Sequence, residues 1–210
     1  MRVMNAQGLV RDGLEVLGRV FTALGGEVSE VIDFFSKLLS GEIIIVNDPF
    51  LHVVRDFIRR ASRAKPTIDL TSADLGSEVL EKAVINAWLG VVDELMNFIK
   101  GHSSDCIDYI GVSQRINAAR EASDLAAIMG VTRELLNCAR RLFLAALSEL
   151  SDRDVGAAVL LASSIDDLIS GEVGDALIKY LLALATAKGN KALIRLIMET
   201  TGENRKQGIS

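Results

Sequence analysis

From Val10 to Leu38 the apolar residues fall at alternating steps of four and three without a miss: Val10, Leu14, Leu17, Phe21, Leu24, Val28, Val31, Phe35, Leu38. That spacing is the seam of a helix lying along another helix, and no strand can satisfy it. Gly25-Gly26 sits in the middle of the run and costs about 1 kcal/mol per glycine relative to alanine, which leaves room for a break or a kink there. An uninterrupted seam of this length has two uses. It can join two copies of the chain, with Val10, Leu14, Leu17, Phe21 and Leu24 as the oligomer interface, or it can dock on a long helix over 72–100 of the same chain.

The remaining sequence carries the same period. Asn47-Asp48-Pro49 is a start signal, because Asp48 can cap free amides and Pro49 suits the first helical turn. That helix should run to about Arg63 and stop before Pro66. Thr71 or Ser72 would cap a helix reaching Lys100, whose two adjacent apolar stripes place Trp88, Leu89, Val92, Leu95 and Met96 in the core. Further helices are predicted over 105–129, 132–150, 152–169, 175–187 and 191–200, with Ser151 and Asp154 as a capping box. Residues 43–46 (IIIV) alone resemble a strand, and one strand makes no sheet. Leu39-Ser40-Gly41, Ile99-Lys100-Gly101 and Ile169-Ser170-Gly171 look alike as helix ends, a similarity better explained by common stop chemistry than by duplication. The expected fold is all-α: a bundle of six to eight antiparallel helices with short glycine-containing connections. It forms a single domain over 1–201 with a sub-boundary near 64–72 and a flexible tail at 202–210.

No uncharged run exceeds the eleven residues Val155 to Ile165, about half of what a membrane span requires. Arg11 and Asp12 break the N-terminal apolar run, so no signal peptide is expected. Cys106 and Cys138 are too few to staple a secreted fold of this length. Both are read as reduced, mostly buried thiols in a cytoplasmic protein.

Sites for chemistry are scarce. His52 and His102 stand at no recognisable nucleophile spacing, so no catalytic residue is expected and the chain is read as no enzyme. A zinc site would need His102, Cys106, Cys138 and His52 together. The acids Asp166, Asp167, Glu172 and Asp175 are more simply solvated helix ends. No glycine pattern matches a phosphate loop or a dinucleotide turn. No metal, cofactor or small-molecule substrate is expected.

Charge is segregated. The chain carries a net −5, yet residues 55–65 (RDFIRRASRAK) sum to +4 and residues 111–141 to +2, leaving −11 on the other 168. Arg55, Arg59 and Arg63 stand four apart with Arg60 beside them and Lys65 just beyond. Arginines about 6 Å apart along a helix can meet phosphates; paired with acids such as Glu78 and Glu81 they would be an ordinary solvated face. Only ten residues are aromatic, so base stacking is not the expected mode and backbone contact is.

In the second stretch, residues 122–141 read ASDLAAIMGVTRELLNCARR. Ala126 supplies a small contact residue, Gly130 a turn glycine, and Leu125, Met129, Val131 and Leu136 apolar contacts. Thr132 would cap a second helix exposing Arg133, Asn137, Arg140 and Arg141. This segment resembles the helix-turn-helix element of bacterial and archaeal DNA-binding proteins over about 20 residues, with Leu135 and Ala139 departing from the pattern. Two functions therefore stand as expectations. One is a non-catalytic, self-associating scaffold or adaptor, a homo-oligomer or subunit of a larger assembly, contacting nucleic-acid backbone through its arginine-rich helices. The other is a helix-turn-helix transcription regulator using 122–141.

Overall fold

The computed structural model describes residues 1–41, 48–68, 70, 78–103 and 105–207, with the side chains of 48, 78–81 and 203–207 left aside. The 43–46 run and the caps expected at Thr71 and Ser72 lie outside the described residues, as do the side chains of Asp48, Glu78 and Glu81.

Among the described residues all regular structure is helical: α1 (Leu9–Leu24), α2 (Glu27–Ser40), α3 (Asp48–Ser62), α4 (Glu78–His102), α5 (Tyr109–Ala122), α6 (Leu125–Ala145), α7 (Asp152–Ile169), α8 (Val173–Ala187) and α9 (Lys191–Gln207), with one 3-10 turn at Leu147–Glu149. Among the described residues the helices number nine, not six to eight. The surplus comes from Gly25 and Gly26, whose φ values of 73° and 61° cut the 10–38 seam in two. Consecutive positive φ values are tolerable only without a Cβ. Asp124 and Ser151 cap α6 and α7 through the amides of Ala127 and Asp154. α9 continues through Gln207, so the expected tail at 202–210 begins instead as helix.

α7 packs along α8, α6 against both α4 and α7, and α1 against α4 and α8. The buried residues form one cluster from Leu9 to Ile197, and Trp88, Leu89, Val92, Leu95 and Met96 belong to it. So do the seam residues. Leu17, Phe21 and Leu24 are 0% exposed, Val10 4% and Leu14 9%. The seam is closed by α4, α7 and α8 of the same chain, and the oligomer contact expected of these five residues is not at the surface.

α3 is held at its C-terminal end. Gly174 in the first turn of α8 lies so close that a Cβ there would come 2.3 Å from the carbonyl oxygen of Ser62. Beyond α3, Thr67 and Ile68 donate their amides to the Leu24 carbonyl at 2.9 and 3.1 Å. Segment 64–68 thus folds back over the α1–α2 junction, closing the end of α1 and bringing Lys65 to the start of α2.

Candidate functional site

The return of segment 64–68 assembles a cleft of about 530 Å³ lined by Glu27, Asp56, Arg59, Arg60, Arg63 and Lys65. Four of the five cations of the first basic stretch meet there. Arg60 is fixed in place. It pairs with Glu30 on α2, and its guanidinium lies 4.8 Å from the centre of the Phe57 ring. Phe57 in turn stacks on Phe34 at 3.9 Å. Arg59 is held loosely, 3.6 Å from Asp56 one turn back. Arg63 and Lys65 are exposed and make no ion pair among the described residues. Arg55 is half-buried and does not line the cleft. The dipole at the end of α3 favours cations there, which lowers the cost of gathering them.

The second basic stretch is used differently. Residues 125–145 form one continuous helix, with Gly130 inside it. The turn that a helix-turn-helix requires is absent. Thr132, expected as a cap, is fully buried and donates its hydroxyl to the Ile128 carbonyl at 2.8 Å. Leu135 and Ala139 are core. A glycine costs a helix only about 1 kcal/mol, and the burial of this face offsets it. The real turn lies earlier, at Ser123 with φ 52°. Arg133 donates to the Leu70 carbonyl at 2.5 Å, Arg140 pairs with Asp166 at 2.6 Å, and Arg115 pairs with Glu134 at 2.7 Å. Asn137 and Arg141 are exposed. None of these residues lines the cleft.

Cys106 and Cys138 are not separate thiols. They form a disulfide with Cα atoms 5.9 Å apart, within the span such a bond requires. The expectation of reduced cysteines is overturned, and the cytoplasmic placement loses the support it drew from them. The pairing also removes both sulfurs from any zinc site. Of the four acids at the α7–α8 helix ends, Asp166 is paired with Arg140 and Asp167 with Lys179. No group of three or more metal-ligating side chains occurs among the described residues.

His102 is the one buried histidine. Its Nδ1 lies 2.6 Å from the Asn5 carbonyl and its Nε2 3.0 Å from Asp12 Oδ2. Both ring nitrogens thus have a partner within the chain. The ring ties the N-terminal segment to the end of α4, alongside the Met4 amide on the His102 carbonyl at 3.0 Å. Asp105 accepts the Arg2 amide at 3.1 Å, and that bond holds its carboxyl below the usual range. His52 sits exposed on α3.

Nothing in the sequence spacing pointed to the two features that complete the cleft, Glu27 and the folding back of Lys65. The double amide bond to Leu24 has no local signature. No helix among the described residues is long and apolar enough to cross a membrane. Compared with known proteins, the chain matches no protein family, no curated protein and no solved structure.

Proposed function

We propose that this chain is a non-catalytic helical binding protein, a subunit of a nucleoprotein assembly, that contacts nucleic-acid backbone through the cations at the end of α3. The observation that carries this function is the convergence of Arg59, Arg60, Arg63 and Lys65 on one cleft, with Arg63 and Lys65 making no ion pair among the described residues. Cations left without partners repel one another, a cost that an anionic ligand relieves. The net charge of −5 is compatible with this, because the local field steers phosphate. Trp88 and most of the large aromatics are buried, which favours contact with backbone over stacking on bases.

The regulator has no comparable support, since α6 is continuous through Gly130. Self-association through the 10–38 seam is not carried forward either. The test is binding to mixed-sequence duplex and single strands across a salt series. Charge reversal at Arg59 and Arg63 should weaken binding about equally for all sequences and flatten the salt dependence. Asn137→Ala should leave it unchanged. Absence of binding at about 50 mM salt, where phosphate contacts are strong, would refute the proposed function.

A further inference from the structure

The cations of the first basic stretch do not run in a line. Arg59 and Arg60 stand in the last turn of α3, Arg63 follows it, and segment 64–68 carries Lys65 back beside Glu27. A strand backbone presents its charges in a row, about one for every 3.4 Å of helix axis in a duplex strand. A convergent set that meets such a row can in addition close on several charges at one centre. The lining holds four cations and two carboxylates, Glu27 and Asp56. The lining balance of +2, reduced to +1 by the Glu30 carboxylate on Arg60, is of the order of one phosphomonoester, which carries about −1.5 to −2 at neutral pH.

The individual side chains divide the work. Arg60 is locked by Glu30 and Phe57, so it presents a fixed charge. Arg59 is 3.6 Å from Asp56, a long and exposed contact that yields readily to a phosphate oxygen. Among the described residues Arg63 and Lys65 have no ion pair to give up. Guanidinium forks match the oxygens of a phosphate in pairs, and an ammonium adds a point charge.

We propose that this cleft is a seat for a single phosphomonoester group, either the terminal phosphate of a strand or that of a free nucleotide. The strand-end source rests on the nucleic-acid function proposed above; the phosphate chemistry does not.

The experiment uses the full chain and two matched pairs of probes: a short single strand with a 5′-phosphate or a 5′-hydroxyl, and adenosine monophosphate or adenosine. The phosphorylated strand should bind roughly tenfold more tightly than its hydroxyl counterpart. The monophosphate, and not the nucleoside, should shift the amide resonances of residues 59–65. Arg63→Gln with Lys65→Gln should abolish both effects, while Arg120→Gln, an exposed cation on α5, should alter neither. Equal affinity for the two strands with no shift by the monophosphate would overturn the seat and leave backbone binding standing. A shift by the monophosphate without binding of either strand would uphold the seat for a free phosphorylated ligand and refute the nucleic-acid function. A phosphate preference that survives the double substitution would overturn the location.

Discussion

The Tyr180 hydroxyl on α8 donates a hydrogen bond to the Leu14 carbonyl on α1 at 2.8 Å, joining positions 166 residues apart. Gly18 makes room for it, since a Cβ there would fall 2.6 Å from the phenol oxygen and 3.6 Å from the carbon that bears it. Gly18→Ala should therefore destabilise the fold by about 1–3 kcal/mol, although alanine is the better helix former by about 1 kcal/mol. Tyr180→Phe should cost about 0.5–1.5 kcal/mol through the lost bond. The double variant should lose less than the sum, because removing the hydroxyl frees the space that the new methyl needs. Urea midpoints measure all three, and strict additivity would show that the hydroxyl does not dictate the glycine.

The same residue sets an alkaline limit. Burial raises the Tyr180 phenol well above its ordinary value. Burial, and then the charge of Asp105, raises Tyr109. The folded chain thus keeps these protons to higher pH than the unfolded chain. Their contribution to stability is full below about pH 10 and is lost as pH rises from there through the folded values. Near-ultraviolet absorbance should show less tyrosinate from the native chain than from the unfolded chain at about pH 10. Tyr180→Phe should flatten the alkaline fall in stability. Tyrosinate appearing from both residues near the ordinary value in the folded protein would contradict this.

The Cys106–Cys138 bond joins the segment before α5 to the middle of α6, 32 residues on. Within α5 only Val112, Ile116 and Ala119 are buried, so this helix depends on the bond more than its neighbours do. Cys138→Ser should lower stability by about 2–4 kcal/mol, and hydrogen exchange should rise first along Tyr109–Ala122. Thiol titration of the native chain without reductant should find no free cysteine.

Leu17 and Phe21 are both 0% exposed. Leu17→Asp with Phe21→Asp should abolish folding, because each buries a charge without a partner at a cost of several kcal/mol. Circular dichroism should show the helical signal lost. A variant that stays helical while its mass by light scattering falls would restore the seam as a contact between chains.

Period and caps made much of this fold legible in the sequence. The α7 boundaries were predicted as observed, since Ser151 and the residues before Gly171 act within one or two turns. The core of α4 was readable for the same reason: Trp88, Val92 and Leu95 share a face whatever packs on it. Gly25-Gly26 marked a place for a break or a kink, and the positive φ of both residues makes it a break.

Where the outcome depended on a distant partner, local pattern misled. Gly130 has the residue type of a turn, but burial of Leu135, Leu136 and Ala139 keeps the helix running through it. Arg133 and Arg140 have the charge of a recognition face, but Leu70 and Asp166 take them up. Cys106 and Cys138 read as lone thiols until the approach of the 103–108 segment to α6 brought them within bonding span.

The sequence by itself determined that the chain is helical, that α3, α7 and α8 start and stop within two residues of where they do, and that Arg55–Lys65 carries an excess of positive charge. These follow from interactions spanning a few residues, whose geometry the backbone repeats. The tertiary structure alone decided that the long seam closes on α4, α7 and α8, that Lys65 returns to face Arg59 and Arg63, and which acids Arg60, Arg115 and Arg140 pair with. Those outcomes depend on which surfaces meet, and a heptad or a basic stripe is compatible with many partners until packing selects one.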